Sequence, residues 1–154
     1  MAFHIVLVEP EIPANTGNIS RTCAATGAHL HLVKPLGFSI ADKDLKRAGI
    51  DYWPHVKLHL HDSFEEVLAA YGGERMFFAT TKGERSYTDF SYQDGDVFVF
   101  GKESAGLPDR ILNLYPERRI RIPMNGNVRS LNLSNCAAIV LYEALRQTGF
   151  PGLA

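Results

Sequence analysis

Asn15, Asn18, Arg21, Glu103, Ser130, Asn132 and Ser134 are the polar side chains from which a metal-free reactive site could be built in this chain. Asn18 and Arg21 stand three apart in a stretch with helical patterning, so they share a face. Glu103 lies in a loop bounded by Gly101 and Gly106, while Ser130, Asn132 and Ser134 open the last apolar stretch. Arg21 and Glu103 among amides and hydroxyls suit a polar ligand site. An ordinary ion pair would use the same two residues, and Asn15 and Ser130 are equally suited to helix capping.

Other chemistries lack their residues. His29-Leu30-His31 and His59-Leu60-His61 each put two imidazoles on one side of a strand and a leucine on the other, the pattern of a half-exposed strand. No cysteine or carboxylate cluster completes a metal site around them, so no metal is expected. The spacing of Gly101 and Gly106 matches a Walker loop, but Leu107-Pro108 stands where the phosphate-binding Lys and Ser/Thr belong. A G-x-G-x-x-G after the first strand and a G-x-S-x-G elbow are both missing, which removes the main support for nicotinamide chemistry and for a serine hydrolase.

The elements that must position these residues follow from periodicity and punctuation. Val97 to Phe100 and Arg119 to Ile122 are short strands that end in Gly101 and in Pro123, and glycine there lets a ligand or a second segment approach the backbone. Upstream strands are read at Phe3–Val8, His29–Val33, Val56–Leu60 and Arg75–Ala79. Helices are read from Asn15 or Thr16 to Ala25, closed by Gly27, and over Asp42–Ala48, Ser63–Tyr71 with Asp62 as cap, Pro108–Leu114 and Leu131–Gln147. Alternating strands and helices imply an α/β fold: a mostly parallel, Rossmann-like sheet with helices on both faces. Ligands of such sheets bind outside the carboxyl ends of the strands.

The 154 residues are read as one domain, residues 1–154, with 45% hydrophobic and 21% charged residues. A formal charge of −1 excludes a global field that draws the chain onto nucleic acid, so an RNA partner must be held by local bases. Cys23 and Cys136 sit among small apolar residues and are read as buried, reduced thiols. With no targeting signal and no membrane-length apolar run, a cytoplasmic protein with no membrane partner is expected. Ala137 to Tyr142 offers no polar face, so one side should pack on the sheet. The other side points to the same helix of a second subunit, or else to a helix buried within one chain.

Three ordered segments carry a resemblance: Asn15-Thr16-Gly17-Asn18-Ile19-Ser20-Arg21, then Phe100-Gly101-Lys102-Glu103-Ser104-Ala105-Gly106-Leu107-Pro108, then Ile122-Pro123-Met124 with Ser130-Leu131-Asn132-Leu133-Ser134-Asn135. On these the chain resembles the SPOUT, or α/β-knot, RNA methyltransferases over its whole length. Glu9-Pro10-Glu11-Ile12-Pro13 and Arg47-Ala48-Gly49-Ile50-Asp51-Tyr52 are similar to the minimal type acting on the tRNA wobble nucleotide. Lys102 departs from the proline common at that position. The resemblance implies a deep carboxy-terminal trefoil knot and a homodimer built through the last helix. It implies S-adenosyl-L-methionine as cofactor, held by main-chain groups at Ala79, Gly101, Gly106, Ile122, Ser130 and Leu131. It also implies methyl transfer to the ribose 2′-hydroxyl of C34 or U34 in the tRNA anticodon stem-loop. Arg21 would act with Asn15, Glu103 and Asn132 in catalysis, and Asn18, Lys43, Arg47, Arg118 and Arg129 would hold RNA. A non-catalytic RNA-binding module of the same fold, a relative acting on another RNA site, and a Rossmann-like enzyme using NAD or ATP are the rivals. Binding of S-adenosylmethionine separates the cofactor-using readings from the rest.

Overall fold

The computed structural model describes residues 2–41, 43, 47 and 53–154. Six strands, β1 (His4–Val8), β2 (His29–Val33), β3 (Lys57–His61), β4 (Met76–Ala79), β5 (Val97–Phe100) and β6 (Arg119–Ile120), form one sheet in the order β3-β2-β1-β5-β4-β6. Every neighbouring pair is parallel. The central strands read as continuous apolar runs because helices cover both of their faces. Ile5, Leu7, Phe98 and Phe100 face helices α1 (Pro13–Thr26) and α4 (Leu133–Gln147), whereas Val6, Val8, Val97 and Val99 face α2 (Phe64–Tyr71) and α3 (Asp109–Leu112). Phe64, Phe77, Phe78, Phe98 and Phe100 are each less than 2% exposed. Burial of one such ring stabilises the fold by about 1.5–3 kcal/mol.

The chain runs outward from β1 through β2 to β3, then crosses to the other half of the sheet. The direction reverses between β1 and β5, whose carboxyl ends lie side by side. In open parallel sheets that crevice receives ligands.

Several boundaries differ from the sequence reading. Helix α1 begins at Pro13, ahead of Asn15 and Thr16, because proline's missing N–H and fixed φ suit a first turn. Its end is as read: Gly27 adopts φ 79° and donates its N–H to the Cys23 carbonyl. Ser63, not Asp62, occupies the cap position of α2, and Asp62 instead pairs with Lys34. Strand β6 stops at Ile120, after which Arg121 bridges to the 85–87 segment through backbone bonds with Arg85 and Tyr87. Helix α4 starts at Leu133 with Asn132 as its cap, so Ser130 lies outside it. Most of the helix read over 42–48 falls outside the described residues. Lys43 and Arg47 are helical and exposed.

On α4, Ala137, Val140 and Leu141 are buried, Ala138 and Ile139 are half-buried, and Tyr142 is 43% exposed. One chain therefore covers one side of this apolar helix and leaves the other open. Cys23 and Cys136 are free thiols, and burial pushes Cys23 up to about 12, which leaves it inert.

One buried ion pair braces the amino end of the sheet. Arg75 holds Asp96 through two bonds, Nε to Oδ1 at 2.8 Å and Nη2 to Oδ2 at 2.7 Å, and the Gln93 N–H donates to the same carboxylate. The Asp96 side chain is 1% exposed and that of Arg75 is 35% exposed, so the two partners do not lose equally when separated. Arg75→Met strands a buried carboxylate and is expected to lower stability by about 3 kcal/mol. Asp96→Asn leaves a cation that can reach water and is expected to cost about 1–2 kcal/mol. Urea denaturation of both variants checks the order, and equal losses would contradict it.

Candidate active site

The loop after β1, Glu9 to Ile12, meets the loop after β5, Gly101 to Gly106, at the point where strand direction reverses. Helix α1 has no acidic residue in its first turn, and its cap position, Ile12, offers no side-chain acceptor. Glu103 supplies one from the other loop. Its Oε1 accepts the Glu11 N–H at 2.8 Å, and its Oε2 accepts the Ile12 N–H at 2.9 Å and the Asn15 amide at 3.1 Å. The Glu11 carboxylate returns the contact by accepting the Ser104 N–H at 2.8 Å, and the Ser104 hydroxyl first, then this N–H, hold Glu11 below the ordinary carboxylate range. Charge-assisted bonds of this kind are shorter and stronger than neutral ones, and weaker at the surface than when shielded from water. A carboxylate also complements the positive end of the helix dipole.

Asn15, 6% exposed, passes this order to a third segment. Its Oδ1 accepts from Asn132 Nδ2 at 3.1 Å, and Asn132 in turn caps α4 by accepting the Ser134 N–H at 2.8 Å. Glu103, Asn15 and Asn132 are thus one hydrogen-bonded line joining the amino ends of α1 and α4. Each asparagine has its donor and acceptor ends fixed by its neighbours. A helix amino terminus favours negative charge, and at α1 the Glu103 carboxylate takes that place.

Gly101 serves the chain itself. A Cβ built on it would lie 2.0 Å from the Gly106 carbonyl carbon and 2.1 Å from the Leu107 nitrogen, because the loop folds back onto its own start. Gly106 N–H donates to Lys102 O at 2.8 Å and closes that return, with Gly106 at φ +70°. The close approach is therefore by a second segment.

Ala79 ends β4, and both it and Ile122 pack against the core under α4, so these two positions border the same edge as Gly101. A hollow of about 250 Å³ opens beside them, lined by Thr81, Arg121, Ile122, Met124, Val128 and Arg129. Its walls mix the apolar Ile122, Met124 and Val128 with Thr81 and two guanidinium groups, a lining that suits a ligand carrying both an apolar part and a carboxylate or phosphate. Ser130 and Leu131 lie between this hollow and the Asn132 cap. A second hollow, of about 150 Å³, lies at the opposite end of the strands beside Phe3, Gly27 and Lys57.

Asn18, Arg21 and Arg129 are exposed. Arg21 stands six residues beyond Asn15, about 9 Å along the helix axis. Arg118 is half-buried with its guanidinium over the Phe77 ring, and Arg119 bonds Leu112 O and Asn113 Oδ1, so both have structural partners as well as positive charge. Among the described residues, no group of three or more His, Cys, Asp and Glu side chains is placed to hold a metal ion.

A profile describing the SpoU rRNA Methylase family matches residues 2–142. The chain belongs to that family. This SpoU-family chain is 57% identical over 151 residues to the tRNA (cytidine(34)-2′-O)-methyltransferase of Methylovorus glucosotrophus, covering 97% of this chain and 98% of that protein. It is 51% identical over 150 residues to the enzyme of the same name from Escherichia coli K12, covering 97% and 96%. Its fold is similar, at a TM-score of 0.92 and 48% identity over 96% of this chain and 97% of the other, to a structure described as giving insight into 2-OH methylation of C/U34 on tRNA. The SpoU methyltransferase AviRb of Streptomyces viridochromogenes, solved with AdoMet, matches at a TM-score of 0.84 and 27% identity over 96% of this chain and 60% of that one.

Two features of this SpoU-family site escape sequence reasoning. Glu11 stands within the quoted Glu9–Pro13 segment, but nothing in that segment tells that its carboxylate binds Ser104. Thr81 carries no signal of its own. Of the two approaches that glycine at 101 permits, a ligand's or a second segment's, the space beside its Cα is filled by the second segment. Gly101→Ala must displace the Gly106–Leu107 backbone, so it is expected to lower both stability and cofactor affinity. Gly106→Ala meets nothing within 4 Å and bears only the strain of positive φ, about 1–2 kcal/mol. Thermal melts with calorimetric titration of S-adenosylmethionine check the pair, and a Gly101→Ala protein as stable as the unmodified one would contradict it.

Proposed function

We propose that this chain transfers the methyl group of S-adenosylmethionine to the ribose 2′-hydroxyl of the wobble nucleotide, position 34, of tRNA. The observation that carries this reading is the Glu103–Asn15–Asn132 line at the switch point of the sheet. It stands in a chain 57% and 51% identical to relatives named for that activity.

Bound S-adenosylmethionine supplies an electrophilic methyl group on sulfur. The hollow beside Ile122, with main-chain groups of Ala79, Gly101, Gly106, Ser130 and Leu131, would hold it. Asn15 and Asn132 orient polar groups of the target nucleotide. Arg21 acts as a cation, since a guanidinium stays protonated in a protein. It fixes the phosphate beside the target ribose and stabilises the 2′-oxygen as the O–C bond forms, the C–S bond breaks and the proton leaves to phosphate or water. The RNA is held by local charge, with Asn18, Lys43, Arg47, Arg118 and Arg129 as contacts. On this reading residues 1–154 act as one unit in the cytoplasm, where tRNA resides.

Two further parts of the reading concern assembly. The open side of α4, with Ile139 and Tyr142, and exposed Ile12 at 46% beside the start of α1, support a homodimer through the last helix. The passage from Arg121, fixed to the 85–87 segment, to Asn132, fixed to Asn15, supports a carboxy-terminal trefoil knot.

Incubation with methyl-labelled cofactor and total tRNA, then mapping of the modified nucleotide, is expected to place the label on the ribose of C34 or U34. Label elsewhere, or none, would overturn the reading. Arg21→Ala is expected to lower the single-turnover rate by about 10²–10³-fold with cofactor affinity nearly unchanged, whereas Arg21→Lys keeps part of the rate because the charge survives. Sedimentation is expected to show a dimer at micromolar concentration that Tyr142→Glu dissociates, by placing an unpaired charge in the contact. A monomeric unmodified protein would refute the assembly.

A further inference from the structure

The histidine pairs are partly buried, and β3 is the half-exposed strand that their alternation suggested, whereas His31 on β2 is buried outright. They face α2 together with a histidine from β1, and form a ladder across three strands. Register puts His4 beside His29, His31 beside His59, and His61 beside Val33. His31 is fully buried, and the Tyr71 ring of α2 meets it edge-on at 5.0 Å. Three contacts link the rings, each at 2.9 Å: His4 Nδ1 to His31 Nε2, His31 Nδ1 to His61 Nε2, and His29 Nδ1 to His59 Nε2. The rings of His31 and His59 also stack at 4.4 Å and 14°.

A nitrogen–nitrogen contact is a hydrogen bond only when one of its two atoms carries the proton. The line His4–His31–His61 has two such contacts and two outer nitrogens, so it holds at most one proton beyond the neutral state. The pair His29–His59 likewise holds at most one more. With its contacts intact the ladder therefore takes up at most two extra protons. Five free imidazoles take up nearly five once the pH is well below about 6.5. Opening the ladder in acid thus binds about three further protons, and each shifts the equilibrium about tenfold per pH unit.

Few neighbouring charges oppose this. Glu66 of α2 lies 3.8 Å from His61 Nδ1 and favours a proton at the outer end of the line, and Asp94 favours one on His4. Lys57 of β3 and the chain's α-amino group disfavour one on His29. Asp62 pairs with Lys34 at 3.5 Å, and Tyr71 contributes a neutral phenol ring. Burial first, then the neighbouring imidazoles, push His4 down to about 4 and His31 down to about 2. Folded values below the ordinary one mean that the stabilisation is complete above about pH 6.5 and is lost as the pH falls from there toward the folded values.

We propose that the five imidazoles form a proton-operated latch, which ties β3 and α2 to the body of the sheet when neutral and lets that edge open in mild acid. The edge also supports the active-site loops. His61 O accepts the Lys34 N–H at 2.9 Å, and three residues on the Gly37 N–H donates to Pro10 O at 2.9 Å, next to the residues that Glu103 holds. Opening of β3 loosens that chain of support.

Amide hydrogen exchange, corrected for the intrinsic pH dependence, tests the latch on the unmodified full chain. Between pH 7 and pH 5, protection over Lys57–Tyr71 is expected to fall by about 100-fold or more, while β5 changes by less than about tenfold. The double variant His29→Gln with His59→Gln retains only the three-membered line, so its steepest pH dependence should drop from about 1,000-fold to about 100-fold per unit. If that variant does not fold, nitrogen NMR of the unmodified protein decides: no more than two of the five imidazoles should gain a proton before the edge opens. All five titrating near their ordinary value with β3 still protected would overturn the proposal. So would a β3 protection indifferent to pH, a variant with undiminished slope, or loss of protection in β5 in step with β3.

Discussion

A buried or half-buried helix terminus needs acceptors for N–H groups that its own turns cannot satisfy. For α1 they come from a carboxylate far away in sequence, Glu103, and the positions of two loops and two helices follow from it. Because Glu103 bonds Glu11, Ile12 and Asn15 together, the loop after β5 cannot shift without uncapping α1, and α1 cannot turn without misplacing Asn15. Asn132 then carries the constraint into α4. The residues that bind one helix start to the other are the residues that the proposed function offers to a substrate. Rigidity and chemistry share one set of bonds, which holds the polar atoms in place before any ligand arrives.

The sheet sets where this happens. With β1 and β5 adjacent and the chain leaving them in opposite directions, their loops part above the strand ends and leave a crevice. The apolar filling of both faces fixes the strands, and the contact of Gly101 with Gly106–Leu107 fixes the loop that rises from β5.

How much of this was legible from residues alone depended on the range of the interaction. Val97–Phe100 and Gly27 declared their roles locally, one through an unbroken apolar run bounded by Gly101, the other through the αL conformation that glycine permits. Asn15, Glu103 and Asn132 were recognisable as a polar set. Their partnership was not, because the bonds join residues 88 and 117 apart in sequence. Alternation placed His29 with His31 and His59 with His61 on common faces. It could not reveal that His4 joins them or that α2 covers them, since register and cover belong to the assembled sheet. Pro13 was visible, yet capping residues two positions later competed with it for the start of the helix.

The place of β1 bears on how the chain is made. Strand β1 leaves the ribosome first, and β2 and β3 can join it on one side soon afterwards. Its other side pairs with β5, beginning at His4 against Val97, and must wait for the intervening chain, on the order of 5–20 s at cellular elongation rates. During that interval Ile5 and Leu7 border an unpaired edge that invites association with other nascent chains. Production of this protein is therefore sensitive to the pace of translation between β3 and β5.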